Sequence, residues 1–345
     1  MNRKPLLILL SIIVAGLAAG CILKYSRQSH AREYSRQFFA MDTVMSFTAY
    51  GERGEEAVEA AVQEVERLDA LLSTGIAESE VSRINASGEG DLSEDTEKIL
   101  SEGLTIWKQT GGLFDVTIYP LMQLWGFPTG NYHVPTKEEL KQTMSLVDSS
   151  EVILDGNHVT LGEKQKMDLG GIAKGYTSNR IMEIFQEYGV TSAMVSLGGN
   201  VQTLGKKPDG TDWQVGIQNP DNVQGDLLGA VAVQDQAVIT SGGYERYFEE
   251  NGQTYIHILD PRTGCPAESG LASVTIVSSN GMLADALSTS LYIMGLDEAE
   301  AYWRIYADEF DMILMTDDGT VYVTEGIRDR FRTKGKMEVL YREEP

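Results

Sequence analysis

Residues 271–323 read LASVTIVSSNGMLADALSTSLYIMGLDEAEAYWRIYADEFDMILMTDDGTVYV, and the hydrophobic period changes several times along them. The β-branched run Leu271–Val277 predicts a strand. Leu283–Met294 and Glu298–Ala307 place apolar residues at helical spacing and predict two successive helices. Met312–Met315 and Thr320–Val323 then predict strands joined by the turn dipeptide Asp318-Gly319. Consecutive helices followed by a hairpin do not fit the alternation of a parallel nucleotide-binding array. The order predicts an α+β unit with mixed or antiparallel sheets and packed helices.

Upstream, Val58, Ala61, Val62, Val65, Leu68 and Leu72 repeat at helical spacing within Glu55–Leu72 and predict a helix with one buried face. Ile99, Leu100, Leu104 and Trp107 mark a second helix that stops at Gly111-Gly112. Thr136 with Glu139 three residues on reads as a capping box opening a third. A fourth is expected from about Ile172 to Tyr188, terminated by Gly189. Strand-like runs cover Met194–Leu197, Trp213–Ile217, Ala230–Thr240 and Tyr255–Leu259. No internal repeat or low-complexity linker divides the chain, so residues 36–341 are read as one unit.

The 345 residues carry a net charge of −23, a surface that repels nucleic acid and admits a polyanionic substrate only with a cation's help. Arg3 and Lys4 precede the apolar run Leu6–Ala19, which is short for a membrane span and suited to a signal peptide. Leu17-Ala18-Ala19-Gly20-Cys21 places small residues before a cysteine and resembles a bacterial lipobox, with Ala18 where leucine is usual. Residues 1–20 are therefore expected to be a lipoprotein signal peptide and Cys21 the lipidated residue, with 21–35 a polar tether. This implies attachment to the extracytoplasmic face of a bacterial cell membrane. The other reading is an uncleaved anchor in which Cys21 is only a small apolar residue. Cys265 is then the one remaining thiol, so neither a disulfide framework nor a thiolate metal site is expected.

Asp285 and Thr289 stand four apart in Ala284-Asp285-Ala286-Leu287-Ser288-Thr289 and share a helical face. A carboxylate and a hydroxyl there suit a hard cation such as Mg²⁺. The same spacing also fits an aspartate near a helix start and a threonine bonded to its own turn. Asp168-Leu169-Gly170-Gly171-Ile172-Ala173-Lys174 brings glycines and a lysine to a helix entrance, where free amides meet anions. A tight turn with a capping aspartate reads equally well. His257, in the strand-like run just before Asp260, is a candidate general base or a satisfied core histidine. Phe114-Asp115 and Trp125-Gly126-Phe127 offer aromatic faces for a planar ring or for core packing.

Together with Met41-Asp42-Thr43, Ser79 to Asn85, Gly112 to Thr117, Ser196 to Asn200, Ser241-Gly242 and His257 to Gly264, these strings resemble the ApbE family of FAD:protein FMN transferases. The resemblance implies an ApbE-like catalytic domain over 36–341 that moves FMN from FAD onto a threonine or serine hydroxyl of an acceptor flavoprotein, leaving a phosphoester and releasing AMP. It implies FAD contacts at Met41, Leu113, Phe114, Asp115, Asp168, Lys174 and Ile256 or His257. It also implies Mg²⁺ on Asp285 and Thr289, with backbone oxygens around Gly171 and Met282; His257 and Asp285 are the candidate catalytic groups. Gly75 departs from the pattern, standing where similar proteins usually place an aromatic residue against the cofactor. An FAD pyrophosphatase and a non-catalytic flavin-binding lipoprotein are the alternative readings.

Overall fold

The computed structural model describes residues 32–221 and 225–343. The expected signal peptide and the lipidation site Cys21 lie outside them. The strands are β1 Glu33–Ala40, β2 Thr43–Tyr50, β3 Glu89–Asp91, β4 Ile153–Asp155, β5 His158–Thr160, β6 Ser192–Leu197, β7 Asn200–Leu204, β8 Trp213–Gln218 and β9 Leu227–Val233. After these come β10 Ala237–Gly242, β11 Tyr247–Glu250, β12 Gln253–Ile256, β13 Leu271–Ser278, β14 Asp311–Thr316, β15 Val321–Thr324, β16 Phe331–Thr333 and β17 Met337–Leu340. The helices are α1 Gly54–Leu72, α2 Glu80–Ser87, α3 Glu94–Gln109, α4 Tyr119–Trp125, α5 Lys137–Met144, α6 Gly170–Glu187, α7 Gly281–Met294 and α8 Leu296–Tyr306.

The central sheet runs β1-β2-β6-β7-β10-β13-β14-β15-β17, antiparallel except for the final β15/β17 pair. Alternation along its strands explains its two covered faces. Met312 and Leu314 of β14, with Val274 and Ile276 of β13, enter the core shared with α7 and α8. Ile313 and Met315, pointing the other way, join Val215 and Val231 of the separate sheet β16-β9-β8. The molecule is thus an α+β unit: helices on one face, a small antiparallel sheet on the other.

Helix ends follow local chemistry. Thr136 and Glu139 form both halves of the capping box of α5. Gly189, at φ +75, closes α6 with Gly189 N and Val190 N donating to the carbonyls of Gln186 and Phe185.

Three expectations change. The run Ala230–Thr240 is not one strand: Asp235 takes φ +52, and the chain leaves the small sheet at Val233 to enter the central one at Ala237. β12 stops at Ile256, so His257 lies beyond the strand, where residues 258–267 fold back on themselves through the Leu259–Pro266 bridge. β1 begins at Glu33, so residues 33–35, read as the end of the tether, already pair with β2.

Candidate active site

Helices α6 and α7 cross in direct backbone contact. A Cβ on Gly175 would sit 2.2 Å from the carbonyl oxygen of Gly281, and one on Gly281 would sit 2.8 Å from that of Gly175. This approach carries the second turn of α6 to the side chain of Asp285. Gly175 N donates to Asp285 Oδ2 at 2.8 Å, and Asn200 Nδ2, from the start of β7, donates to Oδ1 at 2.8 Å.

The alternative readings of Asp285 and Thr289 do not hold. Asp285 is the fifth residue of α7, past the first turn, and its carboxylate serves α6 and β7. The threonine's neighbours Ser288 and Ser290 bond back to Asp285 O and Ala286 O, while Thr289 Oγ1 faces Ser241 Oγ of β10 at 3.4 Å. Asp285 is 6% exposed and burial raises its pKa; the charge of Lys174 and the amides of Gly175 and Asn200 oppose the shift. A buried anion so placed is relieved by a cation.

Among the described residues no three His, Cys, Asp or Glu side chains gather to bind a metal. Asp285 and Thr289 offer a carboxylate and a hydroxyl from one helical face, hard oxygens of the kind Mg²⁺ takes with positions left for water or phosphate. Met282, in the first turn of α7, has a buried side chain.

Lys174 is the electrostatic centre of the site. It makes no direct ion pair among the described residues, yet its charge acts on Asp168, Glu245, His257 and Asp285. Burial raises half-buried Asp168, and crowding by neighbouring protein pushes Glu245, whose surface is still exposed, up to about 7 against that field. His257 moves the other way, to about 4, because burial and then the cations Lys174 and Arg246 disfavour imidazolium, against a backbone bond from Arg246. The ring Nδ1 lies 3.1 Å from Arg246 O, a contact that requires the proton on Nδ1 and leaves Nε2 as the acceptor. Glu245 and Arg246 follow the quoted Ser241-Gly242 turn and carried no signal of their own in the sequence; Asn200 closes the quoted Ser196 to Asn200 string but was given no role there.

The remaining expected residues divide. Asp168 Oδ1 accepts Gly170 N at 2.8 Å in a turn just before α6; the helix N-cap is Leu169, which makes no side-chain cap, so Asp168 is not the capping residue. Asp115 is spent internally: it accepts from Thr117 N, Thr117 Oγ1, Ser149 N and Ser149 Oγ, which ties the 115–117 loop to 149. Leu113 and Phe114 are buried in the helix-side core, with Phe114 edged against Gly171. Met41 and Asp42 form the two-residue tip between β1 and β2 at φ +47 and +59, and Met41 N donates to Asp69 Oδ2 at 3.0 Å. Ile256 packs on Gly243 at the end of β12.

The ApbE family model matches residues 41–314. A protein of Haemophilus influenzae named FAD:protein FMN transferase is 33% identical over 288 residues, covering 80% of this chain and 82% of its own. One of Treponema pallidum with the same name is 30% identical over 339 residues, covering 91% and 93%. Among solved structures, the ApbE protein of Thermotoga maritima aligns with TM-score 0.82 at 30% identity, over 87% of this chain and all of that one. The flavin transferase ApbE of Vibrio cholerae aligns with TM-score 0.78 at 27% identity, over 87% and 99%.

Proposed function

Since the chain belongs to the ApbE family, we propose that it is an FAD:protein FMN transferase that moves FMN from FAD to a threonine or serine hydroxyl of an acceptor protein in a Mg²⁺-dependent reaction. The observation that carries this reading is Asp285, a buried carboxylate shared between α6 and α7 and set beside Lys174 and Thr289.

Lys174 and Arg246 hold the diphosphate of FAD. Asp285 and Thr289, with backbone oxygen near Gly171, hold Mg²⁺, which when bound neutralises diphosphate charge and stabilises the departing AMP. The acceptor hydroxyl oxygen attacks the FMN phosphorus, the bond from that phosphorus to the AMP oxygen breaks, and AMP leaves with the electron pair. His257 Nε2 takes the hydroxyl proton. Its low basicity in the free site follows first from burial and then from the cations around it, and an anionic diphosphate between Lys174 and Arg246 offsets those cations, raising basicity as FAD binds. Met41 and Phe114 bound the flavin side. We further propose that Cys21 carries a lipid and holds the domain at the extracytoplasmic face of the membrane, a reading supported by residues 17–21.

Incubation with FAD, Mg²⁺ and a candidate membrane flavoprotein subunit, followed by intact mass of that subunit, tests transfer. A gain equal to FMN is expected; free FMN and AMP with no gain reveals a hydrolase instead.

A further inference from the structure

Hairpin β11–β12 has one edge that the fold leaves open. It closes through Asn251 and Gly252, and its pairs run from Glu250↔Gln253 to Tyr247↔Ile256. His257 N donates to Arg246 O at 3.0 Å, which makes 246/257 a hydrogen-bonded pair and sets the phase of the ladder. Pairs 247/256 and 249/254 are then the non-bonded ones, so the N–H and C=O groups of Thr254 and Ile256 point away from β11. The next outward carbonyl, that of Ile258, confirms the phase by accepting Ala267 N at 2.9 Å.

Beyond Ala267 the covering strand diverges toward β13, and a cavity of about 460 Å³ opens between residues 253–256 and 265–271. The outward groups of Thr254 and Ile256 take no hydrogen bond from any other described residue. An unpaired strand edge on one wall of a groove is the donor and acceptor set that an added strand satisfies. Ile256, at the inner end of this edge, is followed directly by His257. Glu268 and Asp317 also border the cavity, which favours a neutral or basic occupant over an acidic one.

We propose that this groove takes an extended segment of the acceptor protein as an extra β-strand and delivers its hydroxyl to His257. The inference rests on the transfer reading above.

The test uses the full chain with FAD, Mg²⁺ and a library of short threonine-centred peptides with neutral or basic flanks. Peptide modification is read by mass, and FAD affinity separately by flavin fluorescence. Thr254→Pro removes one outward N–H at an exposed edge position that tolerates the ring; Ala267→Trp fills the groove without touching the edge. Both are expected to raise the KM for peptide by about tenfold, in line with loss of one or two net hydrogen bonds, at unchanged FAD affinity. Thr254→Val keeps the donor and is expected to behave as wild type. An unchanged KM in both test variants, or FAD affinity falling in step with it, overturns the proposal. Wild-type protein that modifies a folded acceptor but no peptide also overturns it. Protein that modifies neither while releasing FMN from FAD overturns the transfer reading itself.

Discussion

Gly175 and Gly281 meet with no side chain between them: a Cβ on the first would press to 2.2 Å from the carbonyl oxygen of the second. Backbone on both sides leaves nothing flexible to move aside, so the separation of α6 from α7 is set by these two residues.

Gly175→Ala therefore forces the helices apart and costs about 1–3 kcal/mol of stability, as overpacking does. Scanning calorimetry is expected to show a Tm lower by roughly 2–4 °C per kcal/mol. Transfer is expected to fall by about a hundredfold, because Lys174 and Asp285 lose their relative placement. A variant with full activity would show that the crossing does not position the site.

Asp285→Asn keeps the shape of the side chain and removes its charge. In the absence of divalent ions the variant is expected to be at least as stable as wild type near neutral pH, since burial already disfavours the ionised carboxylate. Added Mg²⁺ is expected to raise the Tm of wild type and not of the variant, and transfer is expected to drop by about two orders of magnitude or more. An equal Mg²⁺ response in both proteins would remove Asp285 from the ligand set.

Asn200→Ala strips Asp285 Oδ1 of its donor without touching the helix crossing. Leaving a buried carboxylate oxygen unpaired costs about 1–3 kcal/mol, and loosening a ligand from behind weakens metal affinity by about 10- to 100-fold. Titration of activity with Mg²⁺ checks this; wild-type Mg²⁺ dependence would contradict it.

For His257 the sign of the pH effect is opposite to that of a histidine paired with an acid. Its folded pKa, about 4, lies below the ordinary 6.5, so as pH falls the unfolded chain takes the proton first. Its contribution is intact above about 6.5 and is lost as pH falls toward 4. His257→Gln is expected to flatten that part of the Tm–pH curve. Lys174→Met removes a charge that depresses His257, so its folded pKa rises toward 6.5 and the stability lost on the acid limb is expected to be smaller than in wild type; an unchanged limb would show that Lys174 does not govern this histidine.

Gly75→Tyr tests the departure from the family pattern. Gly75 is exposed, and a Cβ there meets only Ser73 Oγ at an ordinary 3.6 Å, so the ring can be accommodated. If it packs on the flavin, FAD affinity is expected to rise by roughly 2- to 10-fold, the range of one aromatic contact. Equilibrium titration of flavin fluorescence reads the change.

Much of this architecture is legible in the chain because local rules and global fold agree. The capping box at Thr136, the glycine after α6 and the Asp318-Gly319 turn all sit where their chemistry demands. The break at Asp235 falls in Gln234-Asp235-Gln236, three polar residues between two apolar runs that a reading of the whole stretch as one strand passes over. Asn200, Glu245 and Arg246 were equally silent as active-site members: proximity to Asp285 and His257 comes from the crossing of α6, α7 and the strand ends, which no spacing rule encodes. Aspartate and threonine four apart suggested a shared face, but only the neighbouring helix and β7 decide which groups that face meets.

The tip of the first hairpin breaks the agreement on purpose. Two-residue turns of this hand favour asparagine and glycine, yet Met41 and Asp42 occupy it, both left-handed, pinned by Asp69. A sequence tuned for hairpin formation alone would discard both residues. They fix the Met41 thioether in space at some expense to folding; under the proposed function, a tip rebuilt for a sturdier protein would give up a contact with the flavin.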